Sequence, residues 1–279
     1  MAGHFSRAVA IVASCLGSGL LLSTSDLRAA DSEPVENAGT GVTFSTGFDY
    51  TKGSYGTPHA TKLLYIPFTF LYDADTYSVD ATFPYLYQSG PTGQTIVGGR
   101  VVPLGAAVSG RATPRIATVQ GWGDLVLGGT RYFEGESETS PVYSLRAQVK
   151  FGTANQDIGL GTGKNDYTFS GGVLRLLGDN WVLSGDLGYT KFGSPSGVRL
   201  RPVLFASIGG AYRFADRSRI GLTSYMSGSN LAGTPAPVDV TAYYAFSPSK
   251  SMQLRAYLLK GLSQGSANHG FGVSVFFFQ

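Results

Sequence analysis

The chain has 279 residues, of which only 14% are charged, a formal net charge of +3, and 39 glycines, 17 phenylalanines and 16 tyrosines. Soluble domains carry about a quarter charged residues, and no block of Lys and Arg gathers on one segment here, which argues against a nucleic-acid binder. The single cysteine, Cys15, lies near the start, so the remainder has no thiolate chemistry, disulfide framework or Cys-ligated metal site.

The N-terminus reads as a secretory signal over residues 1–30. His4 and Arg7 precede a mostly apolar run from Ala8 to Leu22, followed by small and polar residues. That run is shorter than the roughly 20 residues a membrane-spanning helix needs. Cleavage fits after Ser25, Ala29 or Ala30, with Leu27 and Ala29 giving the best small-residue site. Val12-Ala13-Ser14-Cys15 resembles a lipoprotein box, but the apolar run continues past Cys15, which favours a discarded signal. Loss of residues 1–30 removes Arg7, Arg28 and Asp26 and leaves a net charge of +2. Residues 31–40, with Asp31, Glu33, Pro34 and Glu36, read as a solvated periplasmic tail.

From Gly41 onward a segment of about ten residues recurs in which every second side chain is apolar or aromatic. Tyr143, Leu145, Ala147, Val149 and Phe151 alternate with Ser144, Arg146, Gln148 and Lys150. Successive strand side chains face opposite ways, so each such segment has one oily and one polar face. Twelve strands are predicted in order: Gly41–Lys52, Thr61–Tyr72, Thr76–Gln88, Gly121–Phe133, Pro141–Phe151, Lys164–Leu177, Trp181–Phe192, Arg199–Phe214, Ser218–Ser227, Val238–Phe246, Ser251–Leu262 and His269–Gln279. Each is close to the 9–11 residues of a tilted membrane strand. Gly171-Gly172 is a candidate bulge that would return Arg175 to the polar phase; without it Arg175 sits near the periplasmic interface and snorkels.

Loop length alternates. Connections after even strands are short, such as Gly178–Asn180, whereas those after odd strands tend to be long, above all Ser89–Gln120. Bacterial outer-membrane barrels have short periplasmic turns, long outer loops and an even strand count. The expected fold is therefore all-β: a single antiparallel transmembrane β-barrel of about twelve strands over residues 41–279, following the cleaved signal, in the Gram-negative outer membrane. Ser89–Gln120 either folds into the pore or covers its mouth.

With the aromatic phase toward lipid, Asp80, Arg131, Arg146, Gln148, Lys150, Asp166, Asp186, Arg201 and Arg255 point inward. A lipid-facing Arg or Lys at the midplane costs about 2–4 kcal/mol, which fixes this choice. These residues either line a solute path and set its ionic preference or pair with one another and plug a narrow lumen. For catalysis, His59 and His269 are the histidines beyond the signal. Ser266 and Asn268 lie near His269 in sequence, the minimum for a membrane-embedded lipid hydrolase. The GLGTGK run at Gly159–Lys164 lacks the spacing and following Ser/Thr of a phosphate loop and reads as an outer loop.

Four segments carry a resemblance: GWGDLVLGGTRYF (Gly121–Phe133), KFGTANQDIGLGTGKNDYTFSGG (Lys150–Gly172), NWVLSGDLGYTKFG (Asn180–Gly193) and GLSQGSANHGFGVSVFFFQ (Gly261–Gln279). Together they resemble the outer-membrane proteins named for the MetA pathway of phenol degradation. The resemblance implies a transporter-like barrel for small, aromatic or hydrophobic solutes. The terminal Phe278-Gln279 departs from the closing aromatic common in such barrels, although Phe271, Val273, Val275 and Phe277 keep the lipid phase.

The resulting expectation is a monomeric channel or transporter that meets outer-membrane lipid, a small-molecule solute and, during biogenesis, the barrel-assembly machinery. No cofactor, metal, nucleic acid or enzymatic activity is expected. The alternatives are a structural or surface-interaction barrel with a plugged lumen and, third, the lipid hydrolase.

Overall fold

The computed structural model describes residues 40–104, 115–135 and 140–279. The expected signal, Cys15 and the tail to residue 39 lie outside the described residues, as does part of the long loop.

Among the described residues fifteen strands form: β1 (Gly41–Gly53), β2 (Thr61–Asp73), β3 (Tyr77–Pro91), β4 (Gln94–Val97), β5 (Arg100–Pro103), β6 (Ile116–Trp122), β7 (Val126–Phe133), β8 (Val142–Lys150), β9 (Asp166–Leu177), β10 (Trp181–Lys191), β11 (Val203–Ala215), β12 (Ser218–Ser227), β13 (Val238–Ser249), β14 (Met252–Gly261) and β15 (His269–Phe278). All neighbours are antiparallel. Strands β6 and β7 share one place in the wall, both pairing with β3, so the barrel has twelve staves. It closes through β1 and β15, from Thr43 opposite Phe278 to Lys52 opposite His269. Val42 and Gln279 exchange backbone bonds of 3.0 and 2.9 Å beyond that ladder. Among the described residues closure leaves the far side of β6 as the one unpaired stretch of the wall and pairs the remaining staves on both sides, which matters in the bilayer, where an unsatisfied backbone group costs several kcal/mol.

The side-chain period of two governs every stave. On β1, Thr43, Ser45, Asp49 and Thr51 are buried inside while Phe44 and Phe48 are exposed. The outward phase continues around the barrel through Phe70, Leu145, Phe169, Leu187, Ile208, Leu222, Leu258 and Phe271, all exposed. Outward aromatics cluster at both ends, as interfacial girdles do. Tyr72–Tyr77, Trp181–Tyr212 and Phe214–Tyr244 lie at the short-turn end, and Tyr50–Phe271 toward the other.

Two strand expectations change. The fourth predicted strand, Gly121–Phe133, begins earlier, at Ile116, and is interrupted at Gly123–Leu125, where Gly123 N–H donates to the Pro84 carbonyl at 2.8 Å. Pro84 has no N–H to give a ladder, and a Cβ on Gly123 would lie 2.8 Å from the Pro84 ring, so chain and proline fit only without a side chain. Above the break β6 pairs with β3 alone, whereas β7 also pairs with β8. The candidate bulge at Gly171-Gly172 does not form. The β9–β10 register runs unbroken from Tyr167 to Leu177; Arg175 is exposed and points outward near the short turn, where its guanidinium can snorkel.

The long loop turns inward. Strands β4 and β5 form a hairpin with Gly98-Gly99 at its tip, at φ of 54° and 71°. Two left-handed residues make the turn that matches strand twist, and glycine adopts it without steric cost. Ile96, Val97, Val101 and Val102 are all buried.

Candidate functional site

The lumen is organised in levels along β8, which runs from the short-turn end outward. Lowest is Ser144. Next, Arg146 forks onto Asp80 with Nη1–Oδ1 at 2.6 Å and Nη2–Oδ2 at 3.0 Å. Arg146 also donates to Thr130 at 3.0 Å and to Gln148 Oε1 at 3.3 Å. The bidentate geometry matches guanidinium to carboxylate and locks both side chains. The pair has room because Gly128 lies beneath it: a Cβ there would sit 2.7 Å from Asp80 Oδ1 and closer still to Arg146.

Two inward positions up, past Gln148, Lys150 lies between two carboxylates, 2.7 Å from Asp124 and 3.1 Å from Asp166. Asp124 also accepts the Ala154 N–H at 2.8 Å, and Asp166 accepts the Gly193 N–H at 2.9 Å. Asp124 ends the Gly-Trp-Gly-Asp run, and Asp166 belongs to the Gly-rich run entering β9. Two sequence segments more than thirty residues apart therefore converge on one lysine.

Above this cluster sits the hairpin. Its tip glycines, with Ile96, Lys150, Asp166 and Gln148, border a small cavity of about 40 Å³. The hairpin is tied to several walls. Thr61 donates to Gln94 Oε1, Thr95 donates to the Gly161 carbonyl at 2.9 Å, and Ile96 N–H donates to the Gly159 carbonyl at 3.3 Å. On the opposite side Arg100 meets Asp239 at 2.8 Å and lies 4.7 Å over the Tyr225 ring. Nearby Tyr55, in the β1–β2 loop, is held neutral: burial pushes its phenol above the ordinary tyrosine value. Val97 and Val102 pack against Leu200 and, more peripherally, Leu104, Phe192, Val198 and Leu231 from the outer loops.

Beyond the hairpin, at the mouth, is a larger cavity of about 580 Å³. Its walls come from β3 (Gln88), the hairpin (Gln94, Thr95), β6 (Ala117, Val119) and the β8–β9 loop (Ile158, Thr162). Amide and hydroxyl groups mix there with apolar side chains.

Of the sequence-predicted residues, Asp80, Arg146, Gln148, Lys150 and Asp166 come together on this wall. Asp186 points inward on β10 and accepts from Ser207 at 3.1 Å. Arg255 is buried on the far side, with its guanidinium 5.7 Å from the Tyr243 ring and 5.6 Å from Phe276. Arg131 and Arg201 do not face the lumen. In β7 the inward residue is Tyr132, bonded to Ser78 at 2.9 Å; Arg131 is exposed on the outer face at the strand's end and donates to Thr76 at 2.6 Å. Strand β11 starts at Val203, leaving Arg201 exposed in the preceding loop. The inward acids Asp124 and Asp239, and Asp49, which accepts from Tyr257 at 2.7 Å, were not among the expected residues.

The hydrolase constellation does not assemble. Ser266 donates to the Val238 carbonyl at 2.9 Å and to Asp239 at 3.3 Å. Asn268 accepts the Ser54 N–H at 3.0 Å, and His269 is exposed opposite Lys52.

Residues 32–278 match the sequence profile of the family described as "Putative MetA-pathway of phenol degradation". Among solved structures, the COG4313 outer membrane channel from Pseudomonas putida F1 aligns with a TM-score of 0.57 at 13% identity, covering 86% of this chain and 94% of that one. The CymD monoaromatic hydrocarbon channel aligns at 0.42 and 11% identity, covering 86% and 88%. The P. putida toluene transporter TodX aligns at 0.40 and 11%, with the same coverage. The first supports the barrel fold; the other two superpose too loosely to carry an argument. No curated protein sequence matches the chain. By its profile and its closed twelve-stave barrel, the chain belongs to the MetA-pathway phenol-degradation family and is a protein of the Gram-negative outer membrane.

Proposed function

We propose that this protein is an outer-membrane channel for small, uncharged, partly apolar solutes, gated by the β4–β5 hairpin. The observation that carries this reading is the hairpin seated in the lumen directly below a solute-sized mouth cavity. A solute collected at the mouth reaches the lower lumen once the hairpin shifts. The cavity volume lies within the usual range for small-molecule sites, about 300–1,000 Å³.

The lumen charges bear on selectivity. Arg146 and Lys150 are neutralised by Asp80, Asp124 and Asp166 at contact distance, so they present no free ring of positive charge to draw anions. Paired charges leave an uncharged solute as the natural passenger. The protein works as a monomer in contact with lipid, reaches the membrane through the barrel-assembly machinery, and performs no catalysis.

Liposome swelling tests the reading. Vesicles with the refolded protein should admit small neutral solutes faster than anions or cations of equal size, and faster again when the hairpin is removed. A barrel with a permanently plugged lumen is the second reading, and the stacked ion pairs along β8 favour it; it gives no swelling with or without the hairpin.

A further inference from the structure

We infer that the outer rim of the barrel holds a phosphorylated glycolipid of the outer leaflet, of the lipopolysaccharide class, through a row of basic residues on β2, β1, β15 and β14. The row follows from register. Lys62 lies opposite Lys52, Lys52 opposite His269, and His269 opposite Lys260. Four adjacent staves therefore carry a basic residue at one height, at the end where the long outer loops leave the wall. All four belong to the outward phase. Their neighbours Thr51, Thr61, Leu259 and Gly270 are buried on the inner face, whereas Lys62, Lys260 and His269 are exposed and Lys52 is half-buried.

Residues directly opposite on paired strands stand about 4.5–5.5 Å apart, and like charges there repel. Among the described residues no carboxylate lies within ion-pair distance of any of the four. Toward β3 the belt continues in hydroxyls: Ser89 opposes Lys62, and Thr118 donates to Ser89 at 3.1 Å. One outward step toward the bilayer centre, Leu64, Tyr50, Phe271 and Leu258 repeat the same register, with the Tyr50 and Phe271 rings 5.3 Å apart. The wall is thus basic at headgroup height and apolar immediately below. A lipid with phosphates above several acyl chains complements both levels. Its phosphate oxygens accept from the ammonium groups and a His269 N–H, and its negative charge relieves the repulsion along the row. The rim is braced from above, since Ser54 N–H donates to Asn268 at 3.0 Å and ties the β1–β2 loop to the β14–β15 loop. The row faces lipid, so the inference does not depend on whether the lumen conducts. Lys191, at the same end of β10 half the wall away, sits opposite Tyr167 and outside the row, which makes it the control.

The test is native mass spectrometry of the full refolded protein in micelles, with bisphosphorylated lipid A, the same lipid freed of its phosphates, and phosphatidylglycerol as probes. Bisphosphorylated lipid A should bind saturably and more tightly than either of the others. One lysine near a charged lipid contributes about fivefold in affinity, so the double variant Lys52→Gln, Lys62→Gln should weaken binding on the order of 25-fold. Lys191→Gln should leave it unchanged. The substituted side chains are outward and make no ion pair, so both variants fold, which heat-dependent gel mobility checks. Equal binding of the phosphorylated and dephosphorylated probes, or an equal loss in Lys191→Gln, overturns the inference and leaves the row as general interfacial charge. Tighter binding of phosphatidylglycerol, or displacement of lipid A by equimolar inorganic phosphate, overturns the assignment to an outer-leaflet glycolipid.

Discussion

At the scale of single residues, the period of two decides most of what matters. Choosing the lipid phase from Leu145 and Tyr143 forces Arg146, Gln148 and Lys150 inward, and the structure puts them on one inner wall. The same rule misplaces Arg131, because near a strand end the cost of facing outward falls and Tyr132 fills the inner position instead. Asp124 was legible only as part of a Gly-Trp-Gly-Asp signature: nothing local says that an Asp in a strand break will meet a lysine on the next stave. The Asp80–Arg146 pair allows a direct measurement. Arg146→Met should destabilise the folded barrel by about 3 kcal/mol in urea titration, since it strands a buried carboxylate. Adding Asp80→Asn should recover a large part of that loss, because the coupled pair is then gone from both sides. Equal, additive losses would mean that the two side chains do not depend on each other.

At the scale of elements, the hairpin is the feature that the pattern of the chain least revealed. Its signal was present: Gly98-Gly99 between Thr95-Ile96-Val97 and Arg100-Val101-Val102 is a two-residue hairpin turn. Inside a long Gly- and Pro-rich loop, however, strands of four residues fall below the length at which alternation can be read. The strand break at Gly123–Leu125 was hidden for a similar reason, since Trp122 and Leu127 stay apolar on either side of it. Among the described residues, Arg100 to Asp239 is the ion pair that tethers the hairpin, joining the gate to β13. Arg100→Ala should therefore raise the open fraction in bilayer recordings severalfold, and Asp239→Asn should do the same by removing the other partner. No change in either would place the holding force in Thr95, Ile96 and the valines instead.

At the scale of the whole molecule, strand count, loop parity and closure were readable because they are properties of many weak signals added together. Twelve staves were expected and twelve form, with termini meeting at β1 and β15. The bilayer then sets the tolerance of each outward position. Ile208 is 68% exposed near the middle of β11, so Ile208→Arg should cost about 2–4 kcal/mol in refolding into liposomes. Arg175→Leu, close to the short turn, should change stability by less than about 1 kcal/mol. Similar costs at both sites would contradict the assigned membrane depth.

The most direct test of the gated channel is single-channel conductance in a planar bilayer, comparing the intact protein with a variant in which Gln94–Pro103 is replaced by two glycines. The shortened connection is feasible because Leu104 N–H already bonds the Gly93 carbonyl at 2.7 Å. A hairpin gate gives small or infrequent steps in the intact protein and large, long-lived steps, with weak ion preference, in the variant. Identical traces from two folded proteins, whether both silent or both conducting alike, would contradict it.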